Sequence, residues 1–302
     1  MLSWERIRLV LLTGLSFYSQ VNLSTSKLLN ASSAVIDDLY NGCREEAMKK
    51  FNPDVLQQEL GKSEKLQEAW NKWEKEKTKL NCSSKIPGGN KEHTSALSVF
   101  YYYRGTNFIK ELNNAVEMMM TNITTYENDF HFKALHFLLM DSMKLLKPKE
   151  CKEVYLVQEE QIKQEPSSSV RFASFIVAET DLELIDYVDQ VVLKIKTCFY
   201  VDLGDQLCQR YLGKILLSPA EVFTIETVAE KENSDGDEFT EVVLAHSALK
   251  GNHNCIMFSR DQDRGTRGEN EDKALLEGSA ADFSNNLFLP LLVALAMLSM
   301  CP

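Results

Sequence analysis

Histidines and closely spaced carboxylates are the side chains of this sequence that could do chemistry without a cofactor. His131 and His136 are five residues apart, whereas two ligands on one helix face are four apart, so the sequence predicts helix-surface or core roles and no metal site. His246 and His253 flank a turn and have no acidic cluster beside them. Three Glu-x-Glu triplets also occur, and we interpret them as solvated charges that pair by chance. These triplets are Glu74/Glu76, Glu230/Glu232 and Glu269/Glu271.

Cysteine usage indicates an oxidising compartment. The chain has seven cysteines, and Cys301 lies in its apolar end. The remaining even number favours disulfides over a cysteine nucleophile, although the sequence alone selects no pairing. These cysteines are Cys43, Cys82, Cys151, Cys198, Cys208 and Cys255.

The beginning of the chain has the layout of a secretory signal peptide. Two arginines precede the apolar run Leu9 to Leu15, and small or polar residues follow. This arrangement predicts cleavage between Ser19 and Val21 and removal of residues 1–20.

The chain ends in an uncharged, mostly apolar run, Leu287 to Pro302. As a helix it would reach about 24 Å, short of the roughly 30 Å hydrocarbon core of a bilayer. Small residues and a short polar spacer precede it, which is typical of a glycosylphosphatidylinositol anchor signal. We predict attachment at Ser279, with Gly278 and Ala280 as alternatives, and removal of residues 280–302. A tail-anchored helix is the other interpretation.

The two terminal signals together predict a protein anchored by lipid on the outer face of the plasma membrane. Its partners are then expected to be proteins at the cell surface and the membrane itself. The formal charge of -11 and the pI near 5.1 argue against nucleic acid as a partner, because nucleic acid requires a basic surface. Asparagines in Asn-x-Ser/Thr triplets support the secretory route, since they are glycosylated where exposed. They are Asn22, Asn30, Asn81 and Asn122.

One globular domain is predicted over residues 21–259, which is long enough to bury a single good core. Residues 260–279 carry many charges and few apolar side chains. Such a composition is typical of a flexible stalk, here one that leads to the membrane.

Apolar residues before position 150 recur at three- and four-residue spacing, which predicts amphipathic helices. In one stripe Leu66, Trp70 and Trp73 follow Ser63, a plausible N-terminal cap. Two further stripes comprise Phe108, Leu112, Ala115, Val116 and Met119, and then Phe132, Leu135, Leu139 and Met143.

After Cys151 the pattern changes to short β-rich runs. They are EVYLVQ, VRFASFIVA, VVLKIKTCFYV, KILLS, EVFTIETVA, EVVLAHSAL and NCIMF. A brief helix is predicted over 181–190. Helices followed by strands indicate an α+β fold in which a helical half packs on a mostly antiparallel sheet.

An ordered set of segments runs from about Asp37 to Phe258: DDLYNGC, TTYENDFHFKALHFLLMDSMKLL, VYLV, VRFASF, IKTCFYVD, ILLSPAEVF and NHNC. Over these segments the chain resembles the vertebrate ecto-mono-ADP-ribosyltransferase family. The resemblance implies the fold of that family and its disulfides. The implied pairs are Cys43 with Cys255 and Cys151 with Cys198, which leaves Cys82 and Cys208 for an additional bridge.

Family members bind NAD and transfer its ADP-ribose to an arginine side chain on a protein. An arginine in a strand with the sequence Tyr-Arg-Gly binds the cofactor, because a guanidinium can donate several hydrogen bonds to phosphate and ribose oxygens. A Ser-x-Ser element orients the site. The last carboxylate of a Glu-x-Glu motif offsets the positive charge that develops at the anomeric carbon.

This sequence departs from all three motifs. Leu156 stands where the resemblance places the arginine, and Val177 and Glu179 stand at the two serines. Leu212 and Lys214 stand at the two glutamates. We therefore expect a catalytically degenerate member, a pseudoenzyme that serves as a binding or adhesion glycoprotein.

NAD is implied as a cofactor by the resemblance only. The weak candidates for contact with it are Tyr155, Phe172 and Phe175. The alternative function is an active transferase or NAD glycohydrolase with an unorthodox site. A replacement carboxylate for that site would come from Glu159, Glu160 or Glu179, although shifting the register by one or two residues brings no carboxylate beside Lys214.

Overall fold

The computed structural model describes residues 27–258, apart from 32, 81–85, 122, 159–160, 186, 188–189 and 208–212. The described residues as far as Ile256 belong to one compact unit. Helices dominate before residue 150 and strands after it. The predicted α+β fold is therefore confirmed. Within the described ranges, no helix is both long enough and apolar enough to cross a bilayer.

The helical half contains seven α-helices among its described residues. They are α1 (Arg44–Lys50), α2 (Leu56–Lys62), α3 (Glu64–Leu80), α4 (Lys91–Tyr102), α5 (Asn107–Met118), α6 (Ile123–Asp129) and α7 (Lys133–Leu145). A kinked segment, Phe51–Val55, joins α1 to α2, and a 3-10 turn, Met119–Thr121, follows α5.

Helix α3 begins where its cap was predicted. The backbone N–H of Leu66 donates to the Ser63 hydroxyl oxygen at 3.3 Å, which satisfies one of the free donors at a helix start. Leu66, Trp70 and Trp73 are all buried, and the Trp73 ring stacks on Tyr102 with centroids 5.4 Å apart. Burial of this apolar stripe is what holds α3 on the domain.

The other two predicted stripes are also buried, with one exception. Met119 is only half-buried, while Met120 beside it is buried. The reason is that α5 ends at Met118 and the following 3-10 turn changes the direction of the side chains.

The strands form one nine-stranded sheet in the order β1-β3-β8-β9-β5-β2-β4-β7-β6, in which the β5–β9 pair is parallel and the other pairs are antiparallel. They are β1 (Leu28–Asn30), β2 (Lys152–Gln158), β3 (Ser169–Phe172), β4 (Ile176–Glu179), β5 (Val191–Thr197), β6 (Tyr200–Asp202), β7 (Lys214–Leu217), β8 (Glu221–Glu232) and β9 (Glu238–Leu249). Among the described residues of 181–190, a 3-10 turn, Leu182–Leu184, takes the place of the predicted helix. A short helix α8, Leu203–Gln206, precedes β7.

One predicted strand is wrong. Residues 254–258 form a turn and then a helical turn. Cys255 has φ of 57° and is bonded to Cys43, and its N–H donates to the Asp38 carboxylate at 2.9 Å. These contacts hold the backbone in a turn, which an apolar pattern of five residues does not reveal.

Alternate residues of the central strands pack on opposite faces of the sheet. A large apolar cluster contains Val154 on β2, and Leu156 packs against it. A smaller cluster on the other face contains Val157, and Tyr155 packs against that one.

Both disulfides implied by the resemblance are present. Cys43–Cys255 joins the start of α1 to the turn after β9, and Cys151–Cys198 joins the starts of β2 and β6. Of the glycosylation candidates, Asn30 lies exposed on β1 and its modification stays a prediction. Several other predicted features fall outside the described residues: 1–20, 260–302 with Ser279, Asn22, Asn81, Asn122, Cys82 and Cys208.

Candidate functional site

Strands β2, β4 and β7 are neighbours, and they carry most of the positions that the motifs assign to the site. Glu179, the last residue of β4, is the Cα partner of Tyr155 on β2 and of Lys214, the first residue of β7. Directly opposed residues of antiparallel strands point to the same face. Tyr155, Glu179 and Lys214 therefore form a row across three strands.

An ion pair lies in this row. Lys214 Nζ contacts Glu179 Oε1, and the two side chains are 25% and 17% exposed. Burial lowers the pKa of Lys214, and the nearby positive charge of Arg104 lowers this pKa further. The expectation of no carboxylate beside Lys214 is wrong, because the antiparallel register puts Glu179 directly across from it.

Gly213 fixes the start of β7. Its φ is +101°, and a Cβ there would lie 2.8 Å from Thr180 Oγ1. The Thr180 N–H donates to the Gly213 carbonyl at 2.9 Å. Only glycine combines this backbone conformation with such a close approach, so the backbone immediately before Lys214 is held in one conformation.

The remaining motif positions do not all lie on the same face of the sheet. Val177 lies two residues before Glu179, on the same face of β4, and is half-buried. Leu156 follows Tyr155 and so faces the other side of β2, where it packs against the large apolar cluster. Leu212 lies outside the described residues. The structure thus brings Val177, Glu179 and Lys214 together and leaves Leu156 apart from them.

The three candidate cofactor contacts have other partners in this structure. The Tyr155 hydroxyl donates to the Glu153 carboxylate at 2.6 Å, and this bond together with burial raises the pKa of Tyr155 to about 12. Phe172 is fully buried and meets Phe223 edge-on, with centroids 5.8 Å apart. Phe175 is buried as well. Packing accounts for both phenylalanines, and their contact with a cofactor stays a prediction.

Sequence reasoning missed an ionic cluster around Asp37. This fully buried carboxylate accepts from Arg171 Nη1 at 2.8 Å and contacts His253 Nδ1 at 3.0 Å. Burial acts to raise the pKa of Asp37, but the bonds to His253 and Arg171 outweigh it and hold the pKa below its usual value. His253 does have an acidic partner, and it was hidden because the two residues are 216 positions apart.

A second buried carboxylate, Glu221, holds the turn between β5 and β6. It accepts from the Thr197 hydroxyl at 2.6 Å and from the Cys198 N–H at 2.7 Å. His246 Nδ1 lies 2.7 Å from it. The expectation that His246 has no acidic partner is therefore wrong too.

His136 has the core position that the helical pattern predicted, but His131 lies in a turn just before α7 and not on a helix surface. His131 is exposed, whereas His136 is fully buried on α7. Burial lowers the pKa of His136 to about 4, and its ring contacts the Tyr40 hydroxyl at 3.1 Å. His136 is a neutral core residue.

A cavity of about 610 Å³ lies away from the row, in the helical half. Its wall includes Ser63, Glu111, Met118 and His131. Charges of both signs line it, and none of the motif positions contributes to it.

A model of the NAD:arginine ADP-ribosyltransferase family matches residues 29–241. T-cell ecto-ADP-ribosyltransferase 1 of Rattus norvegicus is 27% identical over 239 residues, which are 77% of this chain and 81% of the relative. The Mus musculus protein of the same name is 32% identical over 154 residues, 51% of this chain and 50% of the relative. Ecto-ADP-ribosyltransferase 5 of Homo sapiens is 25% identical over 250 residues, 78% of this chain and 83% of the relative.

The crystal structure of the eucaryotic mono-ADP-ribosyltransferase ART2.2 has a similar fold. It covers 76% of this chain and 98% of its own, with a TM-score of 0.62 and 25% identity. Variants of ART2.2 in complex with NADH and with NAD match at a TM-score of 0.61 and 25% identity, covering 76% of this chain and 98% of their own.

Proposed function

This chain belongs to the NAD:arginine ADP-ribosyltransferase family, and from that premise we propose that it is a cell-surface member that no longer transfers ADP-ribose. In this proposal the protein acts as a binding or adhesion glycoprotein. The loss of activity is proposed chiefly because of Lys214. This lysine occupies the position that the motif assigns to the catalytic carboxylate, and it is paired there with Glu179.

The charge at this position sets the size of the expected loss. A carboxylate about 5 Å from a forming cation, at an effective dielectric constant near 20, stabilises it by roughly 3 kcal/mol. The Glu179–Lys214 pair is close to neutral, so that stabilisation is lost, which corresponds to about two orders of magnitude in rate. An unpaired ammonium would repel the cation instead and bring the difference to about four orders of magnitude. The positive charge of Arg104 acts in the same direction as Lys214.

The location of the protein is part of the proposal. The relatives it matches are ecto-ADP-ribosyltransferases, and two disulfides are compatible with an extracellular compartment. The signal peptide, the anchor at Ser279 and the glycans complete this proposal. NAD enters as a ligand because variants of ART2.2 were solved with NAD and NADH.

The test is transfer of ADP-ribose from NAD to agmatine by the full chain expressed on cells. A restored variant carries Leu156→Arg, Val177→Ser, Glu179→Ser, Leu212→Glu and Lys214→Glu. A control variant carries Lys231→Glu, which makes the same charge change at a lysine that lies 3.8 Å from Glu241 on the β8–β9 hairpin. We expect no transfer by the wild type or the control and transfer by the restored variant. Turnover by the wild type above the level of untransfected cells would overturn the proposal.

Glu179 is the observation that favours the alternative function. Its carboxylate reaches the motif position from β4, so it is the replacement group through which an unorthodox transferase or NAD glycohydrolase would act. In that case Glu179→Gln would abolish the wild-type turnover. In the proposed function there is no turnover for it to abolish.

A further inference from the structure

A tyrosine in the loop between β4 and β5 has a hydroxyl group that is open to solvent. The ring of Tyr187 meets Phe239 edge-on, with centroids 5.0 Å apart, and it packs against the smaller apolar cluster. The residue as a whole is half-buried. Its hydroxyl oxygen is not shielded from solvent, and none of the residues that the structure describes bonds to it. The ring is therefore held in place while the oxygen is accessible to a reagent.

No other tyrosine in the described ranges combines an accessible hydroxyl with the lack of a partner. The hydroxyl of Tyr155, which packs against the same cluster, donates to Glu153 at 2.6 Å. The remaining hydroxyl groups are bonded or shielded: Tyr40 contacts His136, Tyr200 donates to the Glu150 carbonyl, Tyr101 and Tyr126 are buried, and the hydroxyl oxygens of Tyr102 and Tyr103 are shielded. Tyr187 is thus the described tyrosine best suited to react.

Tyr187 can be reached without opening the sheet. It lies between a 3-10 turn and β5, and Ile185 just before it has an extended backbone, with φ of -122° and ψ of 136°. The Tyr187 carbonyl accepts from the Gln190 N–H at 3.2 Å, and the Gln190 carbonyl accepts from the Thr240 N–H at 3.0 Å. The loop is therefore fastened to β9 at Gln190, after Tyr187. Tyr155, by contrast, is paired with the neighbouring strands on both sides of β2.

The segment around Tyr187 is acidic. Four of the residues 181–189 are Asp or Glu, and none is basic. Of these four, the structure describes Asp181 and Glu183, which are both exposed. Asp181 Oδ1 accepts from the Glu183 N–H at 3.0 Å, and this bond holds the start of the 3-10 turn.

A lysine that the strand register puts near this segment does not neutralise it. Lys231 on β8 is the Cα partner of Phe239, which contacts the Tyr187 ring. The Lys231 ammonium lies 3.8 Å from Glu241, so its charge is already balanced. Glu238 precedes Phe239 and is exposed. The surface around Tyr187 thus carries a surplus of negative charge, which attracts an enzyme whose binding groove is basic.

We propose that Tyr187 is sulfated on its hydroxyl oxygen while the protein passes through the secretory pathway. The reagent is a nucleotide phosphosulfate, held by a sulfotransferase with a basic groove. The tyrosine oxygen forms a bond to sulfur, and the bond between sulfur and the bridging oxygen of the donor breaks. The nucleotide phosphate leaves with that oxygen, and the hydroxyl proton passes to a base of the transferase. This inference rests on the secretory location in the proposed function.

Sulfation would change what the loop can bind. A sulfate ester adds a permanent negative charge and several acceptor oxygens to a loop that is already acidic. The guanidinium of an arginine can donate two parallel hydrogen bonds to such a group, as it does to phosphate. The modified loop would therefore offer a binding protein a contact for arginine, which suits the proposed binding or adhesion role.

Mass spectrometry of the full chain expressed on vertebrate cells tests the proposal. Cleavage after Arg171 and Lys194 gives a peptide in which Tyr187 is the only tyrosine. We expect this peptide to be heavier by the mass of SO3. The shift should vanish when the cells grow in chlorate, which blocks synthesis of the phosphosulfate donor. Tyr187→Phe should abolish the shift and leave the amount of protein at the cell surface unchanged, because the ring keeps its contact with Phe239.

Tyr155 is the internal control. Cleavage after Lys152 and Lys163 gives a peptide in which Tyr155 is the only tyrosine, and this peptide is acidic as well. We expect it to stay unmodified, because the Tyr155 hydroxyl is bonded to Glu153 and its backbone is paired in the sheet. The comparison separates the effect of an accessible hydroxyl from the effect of acidic neighbours.

The charge of the loop is tested by the double variant Asp181→Asn/Glu183→Gln. Loss of two negative charges should lower the sulfated fraction of Tyr187 severalfold, because a basic groove then attracts the loop less strongly. Glu45→Gln/Glu46→Gln makes the same charge change on α1, where both side chains are exposed. It should leave the sulfated fraction unchanged.

Surface protein whose Tyr187 carries no SO3, or a shift that chlorate leaves in place, would overturn the inference. Sulfation of Tyr155 to the same extent, or a fraction that Asp181→Asn/Glu183→Gln leaves unchanged, would also contradict it. Biotin labelling of intact cells measures the surface protein in the same cultures. Absence from the surface overturns the secretory location in the proposed function and the inference with it, whereas turnover of NAD bears on the proposed function alone.

Discussion

Replacing Arg171 by methionine should destabilise the protein strongly. Arg171 and Asp37 are both fully buried, and Arg171 Nη1 lies 2.8 Å from Asp37 Oδ2. Removing one partner of a buried pair leaves the other charge uncompensated, which typically costs about 3–5 kcal/mol. Asp37 keeps His253 and the Asn252 N–H as partners. We therefore expect the lower end of that range, a loss of about 3 kcal/mol in the free energy of unfolding.

Urea unfolding of the oxidised protein, followed by tryptophan fluorescence, measures this loss, because Trp70 and Trp73 are buried in the native state. The double variant Arg171→Met/Asp37→Asn removes the stranded charge and should recover at least half of the stability. Lys152→Met is the control, since Lys152 pairs with Asp202 at 2.7 Å while both are partly exposed, and such pairs contribute about 0–1 kcal/mol. A loss for Arg171→Met no larger than that for Lys152→Met would refute the reasoning.

Two further predictions concern pH dependence and the start of β7. Burial raises the pKa of Asp38 from 3.8 to about 6, and the charge of Asp37 contributes a smaller part of the rise. Because the folded protein then binds a proton that the unfolded chain does not, the free energy of unfolding falls as the pH rises between these two values. The fall is about 3 kcal/mol. Asp38→Asn should flatten this fall in urea unfolding at a series of pH values, and an unchanged pH profile would contradict the assignment. Gly213→Ala should cost about 1–3 kcal/mol, because it adds a Cβ 2.8 Å from Thr180 Oγ1 at positive φ. Gly236→Ala has positive φ but open space, so thermal unfolding should show a smaller loss for it, and equal losses would show that the contact with Thr180 is unimportant.

Much of the architecture was predictable because it depends on local periodicity. The Leu66–Trp70–Trp73 stripe predicted α3 and its buried face, since helical spacing alone puts these side chains on one side. The burial of Met119 was predicted wrongly, because periodicity does not show where a helix ends. The strand predicted at residues 254–258 was wrong because a disulfide and a buried carboxylate determine the backbone there.

The site was predictable only in part. The resemblance identified Lys214 and Glu179 as replacements, but their contact depends on sheet order. Strands β4 and β7 are adjacent in the sheet although β5 and β6 lie between them in the sequence, and no local pattern encodes that adjacency. For the same reason no local pattern indicated that His253 lies beside Asp37.

The most direct test of the central claim is the release of nicotinamide from NAD by the purified wild-type chain, compared with its Glu179→Gln variant. We predict that neither protein releases nicotinamide above the buffer background, because the Glu179–Lys214 pair leaves no net negative charge for the developing cation. Release by the wild type that Glu179→Gln abolishes would contradict the claim and show that Glu179 is a working catalytic residue.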